Sequence, residues 1–171
     1  VGMVDQALTQ AEKLWTVGFS QPDECDPIFN VWRGANGITP EIAWQRFALS
    51  LKENNKDLSS YLIRFVDRQD KPFATNYRLV HLKPKTIKRY KTFKTANLRN
   101  REIILHGVKR LARIDPEDAL VTLGQYENLQ NFNPAQLEDT YAYIGVRLAG
   151  RSSDLALIDS LPVNLHEQPK L

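Results

Sequence analysis

Residues 115–149 read DPEDALVTLGQYENLQNFNPAQLEDTYAYIGVRLA, and the two proline-led starts inside this stretch decide the fold class. At Asp115-Pro116 and at Asn133-Pro134 a short polar side chain can accept hydrogen bonds from the free N–H groups of a helix start. The proline that follows fits the first turn, where its missing donor costs nothing. Glu117 and Asp118 then place negative charge where the helix dipole favours it. Leu137, Tyr141, Ile144 and Leu148 recur at helical spacing along the second segment, and Gly150 sits where a left-handed C-terminal cap is expected.

The same grammar extends outward. Asp26-Pro27 and Thr39-Pro40 are further starts of this type, with Glu41 in the first turn of the latter. Trp44, Phe47, Ala48 and Leu51 form an i, i+3, i+4, i+7 stripe, as do Leu58, Tyr61, Leu62 and Phe65, and Ile104, Gly107, Val108 and Leu111. No run of alternating β-branched residues is long enough for a strand. The spacing predicts helices over 3–17, 27–35, 40–54, 57–69, 73–82, 84–95, 99–113, 116–129, 134–149 and 153–160. Short connections turn successive helices roughly antiparallel. The expected class is therefore all-α, a superhelical stack of antiparallel helix pairs of α-solenoid type with no regular repeat. Residues 1–161 form that segment, and 162–171 are a polar tail or the start of a linker.

Composition narrows function by exclusion. With 171 residues, 42% hydrophobic and 25% charged, the chain has the balance of a globular protein. It has no apolar run long enough to span a bilayer and no basic-then-apolar leader at Val1–Asp5. The acidic residues Asp23, Glu24 and Asp26 lie in a polar turn, a setting for solvated caps rather than for a desolvated acid. His81, His106 and His166 stand apart, without His or Cys at metal-ligand spacing, and no glycine-rich phosphate loop occurs. No cofactor is expected.

Charge is segregated. Between Lys83 and Arg113 there are eleven Lys or Arg residues against one acid, Glu102, leaving net −7 for the rest of a chain whose total is +3. Lys85, Lys88, Arg89, Lys91 and Lys94 lie close together with Tyr90 and Phe93 between them. If Pro84 opens a helix, Lys85, Lys88 and Arg89 share one face. The plain reading is a solvated face, and the sharper one is a surface for an anionic polymer. A nucleic-acid module using residues 83–113 is a weaker alternative, because no recognition-helix pair, RNP motif or zinc pattern accompanies the charge. A helical-repeat adaptor for a protein partner is another alternative.

One segment carries a resemblance. Leu14-Trp15, Gly18, Ser20, Cys25-Asp26, Phe29, Val31-Trp32-Arg33, Gly37 and Pro40 together resemble the helical region of the large, doughnut-shaped soluble lytic murein transglycosylases of Gram-negative bacteria. The likeness continues more loosely from Ala119 to Gly150, through Asn133-Pro134-Ala135-Gln136-Leu137-Glu138 and Val146-Arg147-Leu148, whereas residues 70–113 depart from the family pattern. The resemblance implies a periplasmic protein that cleaves the glycan between N-acetylmuramic acid and N-acetylglucosamine without hydrolysis. One glutamate of a separate lysozyme-like domain does this in the family, in a Glu-Ser motif accompanied by Gly-Leu-Met-Gln and Ala-Tyr-Asn-Ala-Gly motifs. None of these motifs is present here, so no catalytic residue carries over. This chain is then expected to be a scaffold, partnered by the catalytic domain of its parent chain and in weak, extended contact with peptidoglycan. The resemblance also implies that Cys25 pairs with a cysteine upstream of Val1. Read from the residues alone, Cys25 is a small, half-buried side chain near a helix start, and Trp15, Phe29, Trp32 and Trp44 are core packing.

Overall fold

The computed structural model describes residues 2–150, so the helix expected over 153–160 and the tail at 162–171 lie outside the described residues. Every regular element among the described residues is helical: α1 (Gly2–Trp15), α2 (Asp26–Gly34), α3 (Pro40–Lys52), α4 (Lys56–Leu62), α5 (Lys71–Leu82), α6 (Tyr90–Phe93), α7 (Leu98–Ala112), α8 (Pro116–Glu127) and α9 (Pro134–Ala149), with 3-10 turns at Asp23–Cys25 and Pro84–Lys88. The chain divides into two compact units, Val1–Arg78 and Leu79–Leu171.

Within the first unit α1 packs on α2 and α3 on α4. Thr39 caps α3 by accepting from the Ile42 N–H (3.2 Å), and Asn55 caps α4 by accepting from Leu58 (3.1 Å). Two helices end in the same left-handed device. After α2, Asn36 (φ 58°) lets its N–H reach the Arg33 carbonyl (3.0 Å) and the Gly37 N–H reach that of Trp32 (2.9 Å). After α3, Asn54 (φ 57°) sends the corresponding bonds from Asn54 to Leu51 (3.1 Å) and from Asn55 to Ser50 (2.8 Å). These paired bonds are the Schellman closure, with asparagine in the place usually taken by glycine.

The core of this unit is aromatic. Trp15 and Trp32 are both buried, with ring centroids 5.4 Å apart, and Phe65 meets Trp15 edge-on at 6.0 Å. Trp44, Phe47 and Tyr77 form a second triad, with centroids 5.7–6.0 Å apart. Phe29 is buried as well. Glycines permit the close approaches. A Cβ on Gly37 would strike the indole of Trp32, and one on Gly18 would come within 2.7 Å of the Leu49 carbonyl oxygen.

In the second unit α7 packs on α8 and α9, around Ile103, Ile104, Val108, Leu111, Leu123, Ile144 and Leu148. Asn97, Asp115 and Asn133 cap α7, α8 and α9 by side-chain acceptance from Asn100 (2.8 Å), Asp118 (3.0 Å) and Ala135 (3.0 Å). Gly107 lets α7 approach Val80 and Ile87, where a Cβ would collide.

Four details differ from the sequence reading. Asp26 is the first residue of α2 rather than its cap, because the 3-10 turn runs straight into the helix and leaves Cys25 in the capping position without a side-chain bond. The helix expected over 57–69 stops at Leu62 and closes in i→i+3 bonds through Val66, which leaves Tyr61 exposed under the Arg64 guanidinium (4.0 Å to the ring). Gly150 has φ −82°, a right-handed conformation.

The fourth difference bears on function. Residues 84–95 are not one helix but the turn Pro84–Lys88, a break at Arg89 (ψ 66°) and the single turn α6. Ile87 and Phe93 are both buried, and six residues apart they would lie about 120° from each other around an α-helix. With the chain broken at Arg89, both side chains are buried. The Tyr126 hydroxyl donates to the Ile87 carbonyl (2.6 Å), supplying the partner that a continuing helix would have provided.

Candidate functional site

Lys85, Lys88, Arg89, Lys91 and Lys94 are all exposed, but the break at Arg89 removes the shared helix face expected for Lys85, Lys88 and Arg89. They decorate an irregular segment pinned from beneath: Gln130 Nε2 donates to the Phe93 carbonyl (2.8 Å), and the Asn100 amide donates to that of Thr95 (2.9 Å). Lys88 is already engaged, with Nζ 2.8 and 3.0 Å from the two carboxylate oxygens of Asp118. That hydrogen bond raises the Lys88 pKa above its ordinary value.

A denser grouping lies at the C-terminal end of α7, including its capping residue Arg113, and on α9, centred on Tyr143. Arg113 Nε donates to the Tyr143 hydroxyl (2.8 Å), and the Arg147 guanidinium lies over the Tyr143 ring at 3.4 Å. Lys109 Nζ is 5.8 Å from the same ring and pairs with Asp139. Arg110 is beside them, its Nε buried and without a hydrogen-bond partner among the described residues. Burial first, and the charge of Arg113 second, lower the Arg110 pKa from its ordinary value. Sequence reasoning counted Lys109, Arg110 and Arg113 within the basic stretch but missed Tyr143 and Arg147. The available signal was the four-residue step from Tyr143 to Arg147, which puts both on one helical face.

The histidines were read as separate, and two are not. His81 Nδ1 lies 3.1 Å from His106 Nε2, with the rings stacked at 5.3 Å and His81 fully buried. The two residues are twenty-five apart, a separation at which local spacing rules carry no signal. Among the described residues no group of three His, Cys, Asp or Glu side chains could hold a metal ion. Asp23, Glu24 and Asp26 are exposed, and Cys25 is a half-buried free thiol. No helix among the described residues is long and apolar enough to cross a membrane.

In the first unit the residues of the 14–40 motif serve packing. Trp15 and Trp32 stack, Gly37 closes against Trp32, and Trp15 also carries a cation. The Arg46 guanidinium, on a side chain only 7% exposed, sits 4.4 Å from the Trp15 ring and donates to the Phe19 carbonyl at 3.5 Å. Its Nε has no hydrogen-bond partner among the described residues, and burial lowers its pKa.

Comparison with known proteins gives a consistent result. The soluble lytic murein transglycosylase of Escherichia coli K12 is 26% identical over 149 residues, covering 87% of this chain. The structure of the lytic transglycosylase Slt from Pseudomonas aeruginosa superposes with a TM-score of 0.80 and 29% identity over 88% of this chain. This chain is homologous to one segment of the soluble lytic murein transglycosylases. The 70-kDa soluble lytic transglycosylase of Escherichia coli shares the all-helical fold at a TM-score of 0.73 and 24% identity, over 92% of this chain. The homology is partial in extent: the chain spans 23% of the Escherichia coli K12 relative and 24% of the Pseudomonas aeruginosa structure. No family model matches the chain.

Proposed function

We propose that this chain is a non-catalytic helical scaffold segment of a periplasmic peptidoglycan lytic transglycosylase. It helps form the ring that positions the catalytic domain of the parent chain and retains the glycan strand. In this reading residues 1–161 belong to the helical segment and 162–171 to a tail or linker. The observation that carries the proposal is homology along 87% of this chain to about a quarter of an enzyme named for murein cleavage, in a sequence without the Glu-Ser motif of that chemistry.

The role assigned to the cations follows from their exposure. Lys85, Arg89, Lys91 and Lys94 present charge to solvent from a segment fixed by buried Ile87 and Phe93. Peptidoglycan carries stem-peptide carboxylates, so such a surface would hold it weakly, over an extended contact and with strong salt dependence. Cys25, free here, is the candidate for a disulfide with a cysteine upstream of Val1 in the parent protein.

The test is sedimentation of the chain with purified peptidoglycan. Retention is expected at low ionic strength and release as salt shortens the Debye length below about 10 Å. An absence of retention at low salt would leave a purely structural role. Release of glycan fragments by the isolated chain would overturn the non-catalytic assignment.

A further inference from the structure

We propose that Arg110, Arg113 and Arg147, arranged around Tyr143 on α7 and α9, form a carboxylate-binding site for the peptide stems of the glycan, distinct from the Lys85–Lys94 segment.

Three observations converge on it. Four cations, Lys109, Arg110, Arg113 and Arg147, gather around one tyrosine, and the carboxylate bound within the group, Asp139, is taken by Lys109. Among the described residues these arginines bond no carboxylate: Arg113 Nε bonds a neutral phenol and Arg147 Nη1 a backbone carbonyl (3.1 Å). Arg110 adds a third guanidinium to the group, close enough to Arg113 and Tyr143 to feel the charge of both, with its Nε buried and without a partner among the described residues.

The geometry selects the ligand chemistry. Stacking on Tyr143 at 3.4 Å holds the Arg147 guanidinium plane in place, and the hydrogen bond to the Tyr143 hydroxyl fixes Arg113. Guanidinium groups held this way offer paired N–H donors that match the two oxygens of a carboxylate, which an ammonium does not. Burial and the neighbouring Arg113 both disfavour the Arg110 charge, and the opposite charge of a bound anion would offset them. This assignment rests on the reading of the chain as a glycan-retaining scaffold.

The test is titration calorimetry of the whole chain at low salt with an isolated stem peptide bearing free carboxylates, set against the same peptide with its carboxylates amidated. The free peptide is expected to bind and the amidated one to bind about tenfold more weakly or worse. Arg110→Gln with Arg113→Gln should lose about tenfold in affinity, whereas Lys52→Gln, at an exposed position ending α3, should not change it. Arg147→Lys separates site from simple charge, because it keeps the charge but removes the planar stack, so weakened binding is expected there too. Thermal melts of each variant establish that the second unit is folded.

Equal binding of both peptides, or wild-type affinity in the folded variants, would overturn the site. So would tighter binding of polyphosphate than of a peptide of equal charge. The outcome separates from that of the broader reading. Peptide binding without retention on peptidoglycan would sink the scaffold proposal alone, and retention unaffected by the arginine substitutions would sink this one alone.

Discussion

The two units handle positive charge in opposite ways. In Val1–Arg78 the cation that matters to the fold, Arg46, is indoors, against the face of Trp15 and beside a core built from all three tryptophans. In Leu79–Leu171 there is no tryptophan, and the buried Tyr126 hydroxyl and Gln130 amide pin backbone carbonyls from below while Lys85, Arg89, Lys91 and Lys94 remain outside. An aromatic face can carry a guanidinium without a counter-ion, since the ring quadrupole supplies part of the lost solvation. The second unit has an aromatic surface too, at Tyr143, but there the ring is half-exposed, with Arg147 over its face and Arg113 on its hydroxyl. The contrast teaches that motif residues in the first unit serve packing, whereas the charge in the second is left over from packing and is what the proposed binding role draws on.

The sharpest way to break this comparison is to remove an aromatic from the first unit. Trp32→Ala should cost about 3–5 kcal/mol by chemical denaturation, the range for deleting a buried tryptophan side chain. Gly37→Ala attacks the same contact from the other side. Its methyl would collide with the Trp32 indole, and a loss of about 1–3 kcal/mol is expected from overpacking. Because every tryptophan lies in this unit, indole fluorescence follows its unfolding selectively. A Gly37→Ala protein as stable as wild type would show that Trp32 can move aside, and the motif would then need another explanation.

Legibility divides along a similar line. Helix starts at Pro40, Pro116 and Pro134 were readable because capping is a local event, complete within four residues. The same reasoning missed the left-handed closures, which fell on Asn36 and Asn54 rather than on Gly150, since asparagine tolerates positive φ without advertising it. Helix 84–95 failed for a non-local reason: the decisive partner of Ile87 is Tyr126, thirty-nine residues later. The Tyr143 cluster and the His81–His106 pair were hidden likewise, because each is assembled from separate helices. Net basic charge could be counted from the sequence, but which cations meet could not.

Within the second unit, Tyr126→Phe should cost about 1–2 kcal/mol. It leaves the buried Ile87 carbonyl without its donor while keeping the ring that packs on Tyr90 at 5.1 Å. A neutral result would mean that the break at Arg89 holds without the hydroxyl. Alkaline titration probes the same hydroxyls together. Burial raises the pKa of Tyr126, and burial together with the hydrogen bond to Glu127 raises that of Tyr141. A group whose folded pKa is raised contributes stability that is complete below its unfolded pKa, about 10 for tyrosine, and is lost as pH climbs toward the folded value. Denaturation midpoints followed by far-UV circular dichroism should therefore fall above about pH 10 in wild type. Tyr126→Phe should flatten that decline, and an unchanged slope would remove the hydroxyl from the account.

The smallest expected effect tests the other half of the contrast, that surface cations here are not structural. Lys88 is the strictest case, since it makes two hydrogen bonds to Asp118 and so has more claim to a structural role than its exposed neighbours. An exposed lysine–carboxylate pair gains little over its hydrated ions, and holding a long side chain in one geometry offsets much of that gain. Lys88→Gln should therefore leave the denaturation midpoint unchanged at physiological salt while weakening retention on peptidoglycan slightly. If the substitution instead destabilised the second unit as strongly as Tyr126→Phe, the pair would be a clasp holding the turn Pro84–Lys88 to α8. The basic segment would then be part of the fold, and its charge would no longer point to a polymer.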